Sequence, residues 1–297
     1  MTTACLRVRA HAKVNLFLRV MGRRADGYHE IETILHGVRL ADEIDVEKAP
    51  AGVTVDMQWG PGVTGPLPAP PENLATSAVR LFQSRMGQAG GARVRVVKSV
   101  PIGAGLGGGS ADSAGVLVAL NELWRAGLDA DALVRLAADI GSDVPYCVRG
   151  GTVLATGRGE NLTPLPGAEM CFVLGVSFRP LLTRDVYRAW DELGSIETGR
   201  AAPMILALGA GDAGEVAPAM HNDLEPAACT LRPELAGKKK VMVAAGALGA
   251  LVSGSGPTIF GLARNQDHAE AVAARVEEHF DRVLVVASQE RCIEKLG

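Results

Sequence analysis

Residues 101–115, PIGAGLGGGSADSAG, constrain what this chain can fold into more than any other stretch. Five of the seven residues from Gly103 to Gly109 are glycine. Glycine reaches backbone conformations closed to other residues and lets the main chain approach a ligand closely. Upstream, residues 93–100 (RVRVVKSV) alternate β-branched and basic side chains as a half-buried strand does. Downstream, Ser110 is the expected N-cap of an Ala-rich apolar helix that runs to Trp124. The order strand, glycine loop, helix makes backbone N–H groups converge at the positive end of a helix dipole, which is the chemistry of a phosphate cradle.

The kind of cradle is narrowed by what is missing. A Walker A loop ends in Gly-Lys-Ser/Thr, and no lysine follows these glycines. Gly103, Gly105 and Gly108 satisfy the Gly-x-Gly-x-x-Gly spacing of dinucleotide sites, with Glu122 about twenty residues on. Glu122 falls inside the predicted helix, not at the end of a following strand where it would reach a ribose, so that match is formal only.

At 297 residues the chain is long enough for two domains, and a change of character places their boundary near Gly157, giving units 1–157 and 158–297. Hydrophobic residues at 47% and charged residues at 21% describe a globular protein. A net charge of -3 gives no general attraction to nucleic acid and favours a small-molecule partner. Cys5, Cys147, Cys171, Cys229 and Cys292 are scattered without C-x-x-C spacing and read as reduced residues. No H-E-x-x-H or G-x-S-x-G occurs, against zinc-protease and serine-hydrolase designs. The apolar run at residues 241–252 is shorter than the roughly 18 residues of a membrane span. A strand pattern begins almost at once, without the regions of a signal peptide, so the expected location is the cytoplasm.

Along the chain, residues 6–20 alternate as one or two strands, placing Lys13 and Asn15 on one face. Asp26-Gly27 marks a turn, and Tyr28-His29 follow it as either a packed corner or a stacking platform for a base. Strands are expected at residues 31–40 and 44–47, then a Gly/Pro-rich surface loop at 60–71. Asn73 caps an amphipathic helix. A further helix spans residues 129–140, and Asp143 sits on a turn between it and a strand, since Val144 precedes Pro145. The second half supplies a strand at 169–176, helices at 184–193 and 203–208, two strands flanking Ser253-Gly254-Ser255-Gly256, a helix capped by Asn265, and a strand at 282–288.

These blocks together resemble the GHMP kinase superfamily, the galactokinase, homoserine kinase, mevalonate kinase and phosphomevalonate kinase group. The glycine loop resembles that group's phosphate loop. The blocks AKVNLFLRVMGRRADGYHEIET (residues 12–33), GSDVP (141–145) and SGSGP (253–257) are similar to its members acting on a cytidine diphosphate-linked methylerythritol. The resemblance implies an α+β, two-domain GHMP kinase fold with the active site in the cleft between domains. It implies ATP as co-substrate with Mg²⁺ and phosphorylation of the substrate's 2-hydroxyl. Asp143 is then the base and Lys13 its cationic partner. Pro101, Gly103, Gly105, Leu106, Gly107, Gly108, Gly109, Ser110 and Ser113 bind ATP, and Asn73 and Lys98 lie near its adenosine. Tyr28 and Tyr187 sandwich the cytosine, His29 hydrogen-bonds its edge, and Asn15 and Thr183 are nearby. No second acid is placed as a metal ligand, which leaves Mg²⁺ to phosphate oxygens and water. A monomer or weak homodimer without nucleic-acid or membrane partners is expected. A kinase of the same fold for another alcohol, such as homoserine or mevalonate, and a non-catalytic ATP-binding relative are the alternatives.

Overall fold

The computed structural model describes residues 4–69, 73–88, 90–194 and 199–296. The chain opens with two long strands, β1 (Cys5–Arg23) and β2 (His29–Ala49), followed by β3 (Val53–Trp59), α1 (Leu74–Met86), β4 (Gly91–Lys98) and α2 (Gly108–Leu123). Next come α3 (Ala130–Ala137), α4 (Val144–Arg149), β5 (Thr152–Gly157), β6 (Asn161–Pro164), β7 (Cys171–Val176), α5 (Thr183–Leu193), α6 (Ala201–Ala210), α7 (Ala213–Val216) and β8 (His221–Asn222). The chain finishes with α8 (Glu225–Leu231), α9 (Glu234–Ala244), β9 (Gly249–Val252), β10 (Ile259–Ala263), α10 (Gln266–Val276), β11 (Arg282–Ala287) and β12 (Ile293–Leu296).

One sheet has the order β12-β1-β2-β4-β3, with β5 also paired to β2, β6 to β5 and β8 to β1. The other has the order β11-β7-β10-β9 and is antiparallel throughout. Three apolar clusters hold the layers together. Val8, Ile44, Val94 and Val96 of the first sheet pack against Ala114 and Leu117 of α2 and Phe82 of α1. Val14, Leu16 and Ile34 meet Phe172, Leu174 and Phe260 of the second sheet, with Met204 and Leu208 of α6. Val173, Val252 and Ile259 pack on Val186 of α5, Met242 of α9 and Val272 of α10. The middle of β1 is therefore covered on both faces, and Lys13 and Asn15 are 4% and 3% exposed, not on a half-solvated strand.

Four local expectations change. Residues 31–40 and 44–47 belong to one continuous strand, because Asp42, which looks like a break, is wholly buried and ion-paired to Lys98. Helix α2 starts at Gly108 with Gly107 as its N-cap at φ 72, leaving Ser110 within the first turn. Asp143 precedes a helix and not a strand: Pro145 lies in the first turn of α4, where a missing N–H costs nothing. The helix expected at 129–140 ends at Ala137, with Asp129 accepting from Ala132 N as its cap. The Asn73 cap of α1 is present, its Oδ1 accepting from Ala75 N at 2.8 Å. Pro70 and Pro71 of the expected surface loop lie outside the described residues.

Candidate active site

The glycine loop joins β4 to α2. Ala104 and Leu106 are buried, which anchors the loop, while Gly103, Gly105 and Gly107 between and beside them take positive φ values of 62°, 76° and 72°. Such values are costly for any residue with a Cβ. Gly107 gives α2 no side-chain cap, and the helix has no acidic residue in its first turn, so its N–H groups remain available to an anion. Ser113 stands one turn further on, with its Oγ donating to Gly109 O at 2.9 Å.

A second glycine turn, between β9 and β10, packs on the first. Ser253 Oγ donates to Gly105 O at 2.9 Å, and Thr258 N donates to Ala104 O at 3.3 Å. A Cβ built at Gly105 would lie 2.0 Å from Ser253 O. The two turns leave room for one aliphatic chain, that of Lys13, whose Cγ would be 3.0 Å from a Cβ at Gly107. Lys13 is held from β1, whose backbone N donates to Leu106 O at 3.0 Å.

A buried ammonium is tolerable only when paired. Lys13 Nζ donates to Asn15 Oδ1 at 2.7 Å and stands 3.4 Å from Asp143 Oδ2. Asn15 Nδ2 in turn donates to Thr33 Oγ1 at 2.9 Å, and Thr33 Oγ1 to Phe17 O at 2.7 Å, which fixes the amide orientation. The Asp143 side chain is 34% exposed, so its carboxylate faces the cleft while Lys13 stays behind it. The two residues come from elements 130 positions apart, and the fold brings them into contact.

Lys98 behaves differently from Lys13. At 1% exposure it is ion-paired to Asp42 and, at 2.7 Å, to Asp112 Oδ2. The other Asp42 oxygen accepts from Ser99 N at 2.5 Å and Val100 N at 2.8 Å, where the chain leaves β4 for the glycine loop. Burial and then the Asp42 charge push the Asp112 carboxyl up to about 8 against the pull of Lys98. This triad clamps β2, the end of β4 and the start of α2, so the Lys98 ammonium serves the loop's foundation.

At the other end, the β1–β2 turn presents Tyr28 and His29. Asp26 Oδ1 accepts from Tyr28 N at 3.1 Å, and Gly27 takes φ 85°. The His29 ring stacks on Tyr187 of α5, centroids 4.6 Å apart at 28°, and meets Trp190 edge-on at 5.7 Å. His29 Nε2 lies 2.8 Å from Asp191 Oδ1. Tyr28 is more than half exposed, and the Arg158 guanidinium sits 4.9 Å above its ring. Thr183 and Ser255 hydroxyls are 3.0 Å apart, bridging α5 to the second glycine turn.

The glycine loop, Lys13, Asp143 and the Tyr28–His29–Tyr187 group line one cleft of about 990 Å³, a size suited to a small-molecule site. The structure places there Lys13, Asn15, Tyr28, His29, Asn73, Lys98, Pro101, Asp143, Thr183, Tyr187, Leu106, Ser110 and the loop glycines 103, 105, 107, 108 and 109; Ser113 stands behind its wall. Sequence reasoning missed Asp112, Asp191, Arg23, Arg158 and Arg188 on the same walls. Asp112 had a signal, an acid in an otherwise apolar Ala-rich helix. Asp191 and Arg188 had none, because on an amphipathic helix they read as the solvent face. Among the described residues, no group of three or more His, Cys, Asp or Glu side chains is arranged to hold a metal ion, and no helix is long and apolar enough to cross a membrane.

Comparison with known proteins agrees with this geometry. The GHMP kinases N terminal domain matches residues 73–151, and the GHMP kinases C terminal domain matches 204–282. The 4-diphosphocytidyl-2-C-methyl-D-erythritol kinase of Pelotomaculum thermopropionicum is 41% identical over 283 residues, covering 93% of this chain and 95% of that one. The enzyme of the same name from Mycolicibacterium smegmatis is 43% identical over 264 residues, covering 86% and 81%. A crystal structure of 4-(cytidine 5'-diphospho)-2C-methyl-D-erythritol kinase superposes with a TM-score of 0.79 at 37% identity, covering 95% of this chain and 98% of that one. Mevalonate kinase from L. major, at 18% identity and a TM-score of 0.75, shares the fold.

Proposed function

The chain belongs to the 4-diphosphocytidyl-2-C-methyl-D-erythritol kinase family of GHMP kinases, and from that premise we propose that it transfers the γ-phosphoryl group of ATP to the 2-hydroxyl of 4-diphosphocytidyl-2-C-methyl-D-erythritol, a step of the non-mevalonate isoprenoid pathway. The observation that carries this reading is the meeting of Lys13 and Asp143, 3.4 Å apart, at the mouth of the glycine loop in a cleft whose far end is aromatic.

In this mechanism the substrate oxygen attacks the γ-phosphorus as the bond to the β–γ bridging oxygen breaks, and ADP leaves. The hydroxyl proton passes to the Asp143 carboxylate. Such transfers depend mainly on positioning and charge stabilisation around a loose transition state. The N–H groups of the loop and of α2 hold the phosphates, and Lys13 offsets the charge of both the carboxylate and the transferring group. Asn73 and the β4 end near Lys98 flank the adenosine. Among the described residues no group of three or more acids is arranged for a metal ion, and Mg²⁺ bound together with ATP would supply charge neutralisation at the phosphates. Tyr28 and Tyr187 supply aromatic faces for the cytosine, His29 its polar edge contact, with Asn15 and Thr183 nearby. Arg23, Arg158 and Arg188 line the cleft as counter-charges for a diphosphate.

The test is a coupled assay for ADP release with the cytidylylated substrate, ATP and Mg²⁺. Turnover is expected in the wild type, and Asp143→Asn lowers kcat by about 10²–10⁴, the usual share of a general base. Wild-type speed in that variant overturns the mechanism; turnover with homoserine or mevalonate in place of the cytidylylated alcohol overturns the substrate.

A further inference from the structure

The end of the cleft away from the glycine loop contains a hydrogen bond that the transfer chemistry does not use, His29 Nε2 to Asp191 Oδ1 at 2.8 Å. The ring is held on one face, along an edge and at Nε2. Tyr187 stacks on its face, Trp190 packs against it edge-on, and its side chain is 9% exposed against 33% for Asp191. Among the described residues, no hydrogen-bond partner meets the other ring nitrogen, Nδ1. His29 and Asp191 both line the cleft, His29 from the β1–β2 turn and Asp191 from the last turn of α5.

A carboxylate only accepts hydrogen bonds, and a neutral imidazole donates from one nitrogen and accepts at the other. With Asp191 on Nε2, the proton is on Nε2 and Nδ1 carries a bare lone pair. This is the arrangement by which carboxylates fix histidine tautomers in metal and catalytic sites. We propose that Asp191 is a positioning residue that locks His29 as an acceptor, so that the cleft reads a 4-aminopyrimidine and rejects a 4-oxopyrimidine. This inference rests on the cytidine reading above. Cytosine meets Nδ1 with its exocyclic N–H; uracil sets its O4 lone pairs against it. A mismatch of this kind leaves two acceptors facing each other out of water, which costs about tenfold in affinity or more.

The experiment measures cytidine diphosphate and uridine diphosphate binding by calorimetry in mildly alkaline buffer. It uses the wild type, Asp191→Ala and Asp191→Leu, with the ¹⁵N spectrum of the His29 ring recorded for each. The wild type prefers cytidine diphosphate by about tenfold and shows a protonated Nε2 with a bare Nδ1. In the variants the ring becomes a mixture of tautomers and the preference collapses toward parity, chiefly through weaker cytidine diphosphate binding. Asp191 is one-third exposed at a helix end, so either variant suffices if the other folds poorly. A preference and tautomer unchanged in the variants, or a wild-type ring protonated on Nδ1, overturns this inference and leaves the cytidine reading standing. Wild-type protein that binds neither nucleotide, or both equally, overturns the cytidine reading and this inference with it.

Discussion

Replacing Gly105 by alanine tests whether the two glycine turns must touch for the proposed phosphate cradle to work. Two separate penalties can be worked out. Gly105 has φ 76°, and holding an L-residue there costs roughly 1–2 kcal/mol. The new Cβ would also lie 2.0 Å from Ser253 O, closer than real Cβ atoms come, and 3.0 Å from Gly256 N, a tight contact, so one turn must retreat by about 1 Å. Ser253 Oγ to Gly105 O and Thr258 N to Ala104 O are the bonds stretched by that retreat. A displacement of that size among reacting groups costs about 10²-fold. The expected result is kcat/KM for ATP lowered by about 10², with cytidine diphosphate binding retained, since His29 and Tyr187 lie on other elements. Gly127→Ala is the control: its φ is 72° but nothing lies within 4 Å of its Cβ, so it pays the backbone cost alone. Steady-state kinetics of both variants, with thermal midpoints, separate collision from strain. Near-wild-type kinetics in Gly105→Ala, or equal losses in the two, would falsify the packed-turn argument.

Two further predictions concern the scaffold. Lys98→Met leaves Asp42 and Asp112 buried without their cation and is expected to destabilise the fold by about 3–5 kcal/mol in urea melts; an unchanged midpoint sinks the clamp. His36, buried between Thr152 Oγ1 at 2.8 Å and Ser288 Oγ at 2.7 Å, has its pKa driven down to about 4 by burial. The unfolded chain therefore takes the proton first: stability is intact above the ordinary value near 6.5 and falls by about 3 kcal/mol as pH drops through about 4. In His36→Gln, melts at pH 7 and pH 4 should differ less than in the wild type, and an equal acid loss in both proteins refutes the assignment.

Local chemistry made the glycine-loop side of the site legible. A run of alternating glycines between a strand pattern and a helix pattern has few other uses, and the Asn73 and Asn265 caps could be read directly from side chains that bond their own backbone. Everything that depended on long-range pairing was less visible. Asp42 looks like a strand break because its partner is 56 residues away, and no local pattern shows the burial of Lys13, which comes from turns near positions 107 and 254. The short strands β8 and β12 carry too few residues for a periodic signal, yet both add to the first sheet beside β1. The resemblance to a family linked Lys13 to Asp143; spacing along the chain contains nothing that could.

The geometry of that pair also suits the role of base proposed for Asp143. A carboxylate held tightly by an ammonium has its lone pairs committed and is a poor proton acceptor. Here the closer partner of Lys13 is the neutral Asn15 amide at 2.7 Å, and Asp143 stands at 3.4 Å, beyond the usual N–H···O distance. Asn15 cannot swing away, because its own amide is tied to Thr33 on β2. The ammonium is thus positioned by a neutral group and faces Asp143 without occupying its carboxylate. An Asn15→Leu substitution removes that tether and releases Lys13 toward Asp143. The expected signature is a kcat reduced by about tenfold or more with ATP affinity little changed, and a rise in kcat would show that the tether restrains the lysine instead of positioning it.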